Sequence, residues 1–224
     1  MRKFYLPFGI GKHYSLYSSY ITQEEYKELM AYARENNVKL ENFKRFSGDI
    51  TVIKEMVDDV VAVAKDFPAL LTARKCVVIR LDEASPIDDF ATTDRHLISI
   101  NSKVFNDREY LEKEYELLAE MGKFVKGTNY RSVIRHELGH VVANIYKLDP
   151  MCIAKIVLPQ KSNEEIIKHI KTFLSLYAAD FEDGREFISE CFAAYYGMTD
   201  NSLAIKYVTK CKELIKEDTN YDKK

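Results

Sequence analysis

The sequence VIRHELGHVVANI, at residues 133–145, contains the most informative pattern of the chain. Its apolar residues recur at helical spacing, which predicts a helix over about residues 129–146 with one face in the core. His136 and His140 are four residues apart, so this helix places both imidazoles on the same face, with Glu137 beside them. Gly139 leaves room for another element to pack closely against the helix.

These residues fit the pattern H-E-x-x-H, which is typical of catalytic zinc sites. A bound Zn²⁺ ion lowers the pKa of its water toward about 7, and a neighbouring glutamate takes the proton as hydroxide attacks a polarised carbonyl. Two unpaired histidines and a glutamate facing the interior of a buried helix would be costly unless a metal satisfied them. We therefore expect Zn²⁺ bound by His136 and His140, with Glu137 as the general base.

A catalytic zinc site needs a third protein ligand, which leaves one position open for water. Metzincins are excluded, because their pattern requires a histidine at the position of Tyr146. The candidates are carboxylates further along the chain: Glu164, Glu165, Asp180, Asp183, Glu186 and Glu190. Glu186 and Glu190 are favoured, because they again lie four apart on one face of a predicted helix. One carboxylate could bind the metal while the other orients a ligating histidine through its free ring nitrogen.

The H-E-x-x-H motif and the segment EFISECFA at residues 186–193 together resemble the catalytic domain of anthrax lethal factor and the related Pro-Pro endopeptidases. That family consists of gluzincin zinc peptidases and includes many phage and mobile-element proteins. The resemblance covers roughly residues 130–198. It implies that Glu186 is the third metal ligand and Glu190 a supporting residue, and the separation of 46 residues between His140 and Glu186 fits the family.

The same family has a tyrosine seven residues before the glutamate ligand, where it donates a hydrogen bond to the developing oxyanion. This chain has Ala179 at that position and Tyr177 two residues earlier, so the role falls on Tyr177 only if the loop is two residues longer. A phenol near the zinc would be a suitable oxyanion donor on physical grounds. Tyr195 and Tyr196 are alternative candidates.

The rest of the chain predicts a helix-rich α+β fold, a zincin-like metallopeptidase domain with a small sheet. Two strands are expected at residues 76–81 and 97–101, because both segments are short and rich in β-branched residues. Two helices precede them, from Thr22 to Asn36 and from Ser47 to Phe67, and five follow, at 107–121, 129–146, 163–177, 183–197 and 201–217. We expect an N-terminal helical subdomain or extension at 1–70, the peptidase domain at 71–217 and a polar tail at 218–224.

Composition narrows the classes of partner. Lys and Arg total 33 against 35 for Asp and Glu, a net charge of -2, which argues against nucleic acid or an anionic membrane as the main partner. The four cysteines form no C-x-x-C pair, which indicates reduced thiols. Pro7 and Gly9 interrupt the apolar stretch at residues 4–10, so no export signal is expected. We expect a cytoplasmic protein, or one delivered with a phage or mobile element.

These observations predict a zinc-dependent endopeptidase acting on a peptide or protein. Metallopeptidases commonly add an extended substrate to a sheet edge, so we expect the substrate along the strand at residues 97–101. The alternative is a phage or mobile-element protein, either virion-associated or of the repressor-cleaving regulatory type. Such a protein would keep the metallopeptidase fold for a mainly binding or regulatory role.

Overall fold

The computed structural model of the chain describes residues 19–72, 76–85, 89–180 and 183–221. The expectation of no export signal concerns the first 18 residues and lies outside the described part. Within the described ranges the chain has the predicted helix-rich α+β fold, with one small mixed sheet. No helix in these ranges is both long and apolar enough to cross a membrane.

The first part of the chain contains the two predicted helices, α1 at Gln23–Glu35 and α2 at Ile50–Ala64, with a short strand, β1 at Lys39–Glu41, between them. A capping box starts α1. The Thr22 side chain accepts a hydrogen bond from the Glu25 backbone N–H at 3.2 Å, and the Glu25 carboxylate accepts one from the Thr22 backbone N–H at 2.7 Å. The apolar faces of the two helices lie in the same core.

The sheet has four strands in the order β1-β2-β4-β3, where β2 is Val78–Asp82, β3 is Ala91–Asp94 and β4 is Leu97–Asn101. Strands β1, β2 and β4 are parallel, and β3 pairs with β4 in the antiparallel direction. The two strands expected from the sequence are therefore neighbours at the centre of the sheet.

The expectation that residues 97–101 form the substrate edge of the sheet is wrong, because β4 lies between β2 and β3. The edge strand on this side is β3. Its sequence, Ala-Thr-Thr-Asp, contains no large apolar residue, and its residues alternate between half-buried and exposed. A strand that buries so little apolar surface leaves no alternating hydrophobic signal in the sequence.

The rest of the described chain is helical: α3 Ser102–Phe105, α4 Arg108–Glu120, α5 Ser132–Tyr146, α6 Pro150–Val157, α7 Asn163–Phe173, α8 Arg185–Tyr196 and α9 Ser202–Tyr221. The short helices α3 and α6 are not among the predicted elements. Helix α7 ends at Phe173, earlier than predicted, and α9 continues to Tyr221, beyond the predicted end at residue 217.

Helix α5 is central, and it packs against α2, α8 and β3. Its contact with α8 depends on Gly139, because a Cβ atom at this position would lie 2.7 Å from the Ser189 Cα. No real Cβ contact is that short, so any larger residue would separate the two helices. Gly139 thus has the close-packing role that the sequence predicts.

An ion-pair cluster joins α5 to α2. The buried carboxylate of Asp59 accepts from Arg135 at 2.9 Å and from Arg131 at 2.8 Å. Arg135 directly precedes the histidine motif, and its ion pair with Asp59 ties the start of that motif to α2. Because α2 and β1 share the core and the sheet with later elements, they help to position α5. The division of the chain at residue 70 stays a prediction.

Candidate metal centre

Three side chains from α5 and α8 converge at one point. The Glu186 Oε2 atom lies 3.1 Å from the Nε2 atom of His136 and 3.4 Å from the Nε2 atom of His140. Each of the three residues has one potential ligand atom within 4.8 Å of those of the other two. Two imidazole nitrogens and one carboxylate oxygen at this spacing could hold a single metal ion, and they are donors that suit zinc.

Glu190 lies behind this group, one turn further along α8. Its Oε1 atom is 2.9 Å from the Nδ1 atom of His136. When this carboxylate accepts the Nδ1–H, the lone pair of the imidazole is on Nε2, the nitrogen that faces Glu186 and His140. Hydrogen bonding of this kind fixes the ring orientation and the tautomer that a metal ligand needs.

The two carboxylates make the centre attractive to a positive charge. Burial lowers the pKa of His136, but hydrogen bonds with Glu186 and Glu190 outweigh it and raise this pKa well above its ordinary value of 6.5. Burial raises the pKa of Glu186, but hydrogen bonds with His136 and His140 bring it well below its ordinary value of 4.5. The negative charges of the two carboxylates therefore favour a cation at this point, either a proton on the imidazole or a metal ion.

Glu137 projects from α5 beside the two histidines and is 7% exposed. Its Oε2 atom accepts a hydrogen bond of 2.5 Å from the Thr93 Oγ1 atom on the edge strand β3. The sequence offers no signal for this contact, because it depends on a strand that hydrophobic periodicity does not reveal.

Tyr177 lies outside α7, in a short 3-10 helix at Tyr177–Ala179. Its ring stacks on the His136 imidazole with the centroids 5.5 Å apart, and its backbone N–H donates to the Lys123 carbonyl at 3.1 Å. Burial raises the pKa of Tyr177, and the charges of Glu186, Glu137 and Glu190 raise it further. The phenol is therefore protonated at neutral pH and can donate a hydrogen bond.

The other tyrosine candidates have partners elsewhere. The Tyr196 hydroxyl donates to Asp66 at 2.8 Å, and the Tyr195 hydroxyl accepts from Lys212 at 2.7 Å. Both hydroxyls belong to a network that joins α8 to α9 and to the end of α2. Of the three tyrosines considered from sequence, Tyr177 is the one in contact with the centre.

The alternative carboxylates are not among the three converging side chains. Glu164 and Glu165 are exposed in the first turn of α7, where Glu165 accepts from the Ser162 backbone N–H at 2.7 Å. Asp183 is exposed and pairs with Arg185. Asp180 is exposed too. The structure thus brings together the carboxylate pair that the sequence favours.

Comparison with known proteins gave no relative: no family model, curated protein or solved structure matches the chain.

Proposed function

We propose that this protein is a zinc-dependent endopeptidase. The observation that carries the proposal is the position of the Glu186 carboxylate within 3.4 Å of both histidines of the H-E-x-x-H helix. A zinc ion would be held by His136, His140 and Glu186, while Glu190 orients His136. When bound, zinc lowers the pKa of a water molecule to about 7 and polarises the carbonyl of the scissile bond.

In the proposed reaction Glu137 acts as the general base. Its carboxylate takes the proton of the attacking water and then gives it to the nitrogen of the departing amine, so that the peptide C–N bond breaks. Tyr177 donates its phenol hydrogen to the oxygen that becomes negative in the transition state. Such a donor is effective because it is already oriented, here by its stacking on His136 and by its backbone bond to Lys123.

We place the substrate along β3. An extended peptide that pairs with the outer edge of this strand would gain main-chain hydrogen bonds, as in other cases of strand addition. The contact between Thr93 and Glu137 supports this placement, since it puts the edge strand directly beside the general base.

We also propose that the protein is a lethal-factor-like gluzincin. It is supported by the two motifs and by the contacts that Glu186 and Glu190 make with the histidines. The offset tyrosine is the departure from the family pattern. Its position outside a regular helix, between α7 and α8, is where a difference in loop length would be absorbed.

The deciding experiment is a proteome-wide cleavage screen with zinc-loaded protein, with the chelated protein and with Glu137→Gln. We expect specific cleavage by the first alone, while Glu137→Gln binds stoichiometric zinc and is at least about a thousandfold slower. Cleavage by Glu137→Gln at the wild-type rate would disprove the mechanism. Zinc binding without any cleavage would favour the alternative, a phage or mobile-element protein with a binding or regulatory role.

The ligand assignment has its own test, the zinc content of Glu186→Ala and of Glu190→Ala. We expect Glu186→Ala to lose zinc, because a direct ligand is removed. Glu190→Ala should retain zinc with affinity lowered about ten- to a hundredfold, the usual effect of losing the partner of a ligating histidine. The reverse result would exchange the two roles.

A further inference from the structure

A pocket opens directly beside the three converging side chains, between β3, α4, α5 and the turn that holds Tyr177. The enclosed space is about 90 Å³. Its wall is aromatic and apolar: Phe90, Tyr115, Leu118, Phe124 and Tyr177. His136 and Glu137 line the same space. A side chain in this pocket would therefore belong to a residue close to the reacting bond.

The rings of the wall support one another. Tyr115 and Phe124 stack with centroids 5.0 Å apart, while Phe90 and Tyr177 each place an edge against Phe124, at 6.1 Å and 6.0 Å. Tyr177 in turn stacks on His136. Aromatic pairs in these geometries attract each other beyond the effect of burial alone. The pocket is thus preformed and has a fixed position relative to the centre.

One buried polar atom of a residue that lines the pocket has no partner. Glu190 lines the pocket and is 1% exposed, and its Oε1 atom binds His136. In the described part of the chain no group donates a hydrogen bond to its other oxygen, Oε2, which is fully buried. A buried acceptor without a donor costs free energy, so a ligand that brings a donor to it gains affinity.

We propose that this pocket binds a substrate side chain with an aromatic body and a hydroxyl at its tip, as in tyrosine, and that this hydroxyl donates to the Glu190 Oε2 atom. The inference rests on the proposed peptidase function and names its specificity. The ring would contact the aromatic wall, and a small turn of the Glu190 carboxylate toward the pocket would bring the unpaired oxygen to the hydroxyl. Phenylalanine would make the same contacts with the aromatic wall but would leave this oxygen without a donor.

A neutral donor suits the pocket better than a cationic one. The walls are apolar, and a charged side chain would lose its hydration on entering. Lys123 and Asp89 both line the pocket and their opposite charges offset each other, while the negative charges of Glu137 and Glu190 lie at the end where a bound metal ion would offset them. A phenol carries a donor at its tip without a net charge.

The first test measures binding of three small molecules to the zinc-loaded full chain by NMR titration: 4-ethylphenol, ethylbenzene and butylguanidine. The first two differ by one hydroxyl. We expect 4-ethylphenol to bind about tenfold more tightly than ethylbenzene or better, the effect of one hydrogen bond to a charged acceptor. Equal affinity of these two would overturn the proposal, and so would tighter binding of butylguanidine.

Two variants of α4 test whether 4-ethylphenol binds in this pocket. Leu118→Phe fills the pocket and should abolish binding of 4-ethylphenol, whereas Leu117→Phe adds the same ring at an exposed neighbouring position and should leave it unchanged. If Leu118→Phe does not fold, a crystal structure of the wild-type complex with 4-ethylphenol answers the same question. A phenol hydroxyl more than 3.5 Å from Glu190 would overturn the assignment.

Peptide cleavage separates this proposal from the function on which it rests. Matched peptides with tyrosine or phenylalanine next to the scissile bond should differ about tenfold or more in kcat/KM, in favour of tyrosine. Cleavage of both at equal rates would overturn the pocket assignment and leave the peptidase standing. Selective phenol binding by a chain that cleaves no peptide would overturn the peptidase and leave the pocket standing.

Discussion

The hydroxyl of Thr93 on the edge strand β3 donates to the carboxylate of Glu137 on helix α5, with 2.5 Å between the Oγ1 and Oε2 atoms. The donor belongs to the strand on which we place the substrate, and the acceptor is the proposed general base. Both partners sit on regular elements, so the position of the carboxylate is set by the packing of β3 on α5. Displacement of a catalytic group by about 1 Å can lower a rate about a hundredfold.

Thr93→Val should therefore lower kcat by about ten- to a hundredfold with little change in KM or zinc content. Valine keeps the shape and the β-branch of threonine but cannot donate a hydrogen bond. Thr93→Ser restores the hydroxyl and should recover most of the rate. Thr92→Val, on the opposite, exposed face of the same strand, is the matched control. Steady-state kinetics on all three variants, with crystal structures showing the Glu137 position, check this. An unchanged kcat in Thr93→Val would contradict it.

Gly139→Ala should destabilise the protein, although alanine is the better helix former by about 1 kcal/mol. The added Cβ would lie 2.7 Å from the Ser189 Cα, a backbone atom that cannot move aside. We expect a net loss of about 1–3 kcal/mol in the free energy of unfolding. Zinc affinity should fall too, because separating α5 from α8 moves Glu186 away from the histidines.

Urea unfolding with and without zinc measures both effects of Gly139→Ala. The control is Asn144→Ala, at an exposed position of the same helix, which should change stability by less than about 0.5 kcal/mol. If Gly139→Ala were as stable as the wild type, the close contact between α5 and α8 would not be a constraint.

Tyr177→Phe removes the hydroxyl of this residue and keeps its ring. The ring can still stack on His136, so stability should stay near wild type. Zinc content should also stay near wild type, with affinity slightly changed because the hydroxyl no longer bonds to Glu186. The value of kcat should drop about a hundred- to a thousandfold, which is the usual effect of losing one hydrogen-bond donor to the oxyanion. Tyr196→Phe is the control, since that hydroxyl binds Asp66 instead. Equal kcat in Tyr177→Phe and wild type would leave the oxyanion role without support.

The elements that the sequence predicts well are those with a strong local signal. Helix α1 has its capping box, and α5 and α8 have long apolar faces interrupted by polar residues four apart. The spacing of His136 and His140, like that of Glu186 and Glu190, fixes which side chains share a face before any tertiary contact is known. The structure adds that the two faces meet.

The elements that the sequence misses have their signal in tertiary contacts. Strand β3 has no hydrophobic alternation, and its pairing with β4 is what makes it a strand. For the same reason the sequence cannot reveal Thr93 as a partner of Glu137, 44 residues away along the chain. The pocket wall likewise brings together Phe90, Tyr115, Phe124 and Tyr177 from separate segments whose spacing shows no period.

Zinc binding should release a proton near neutral pH. The pKa of His136 is raised well above 6.5 by Glu186 and Glu190, against the effect of burial, so the imidazole keeps its proton until zinc takes the Nε2 position. A raised pKa of this kind stabilises the zinc-free fold below pH 6.5, and this stability is lost as the pH rises through the raised value. The gain in Tm on adding zinc should therefore increase with pH.

Calorimetric titration of zinc at pH 7.5, in buffers of different ionisation enthalpy, counts the released protons, and we expect about one per zinc from His136 in addition to any that the zinc-bound water loses. Glu190→Gln removes one of the two carboxylates that raise this pKa. The variant should release fewer protons at the same pH, because part of the imidazole is already neutral. Wild-type protein that binds zinc with no proton release at pH 7.5 would contradict the placement of His136 between two carboxylates. If Glu190→Gln released as many protons as the wild type, Glu186 alone would hold the proton on this imidazole.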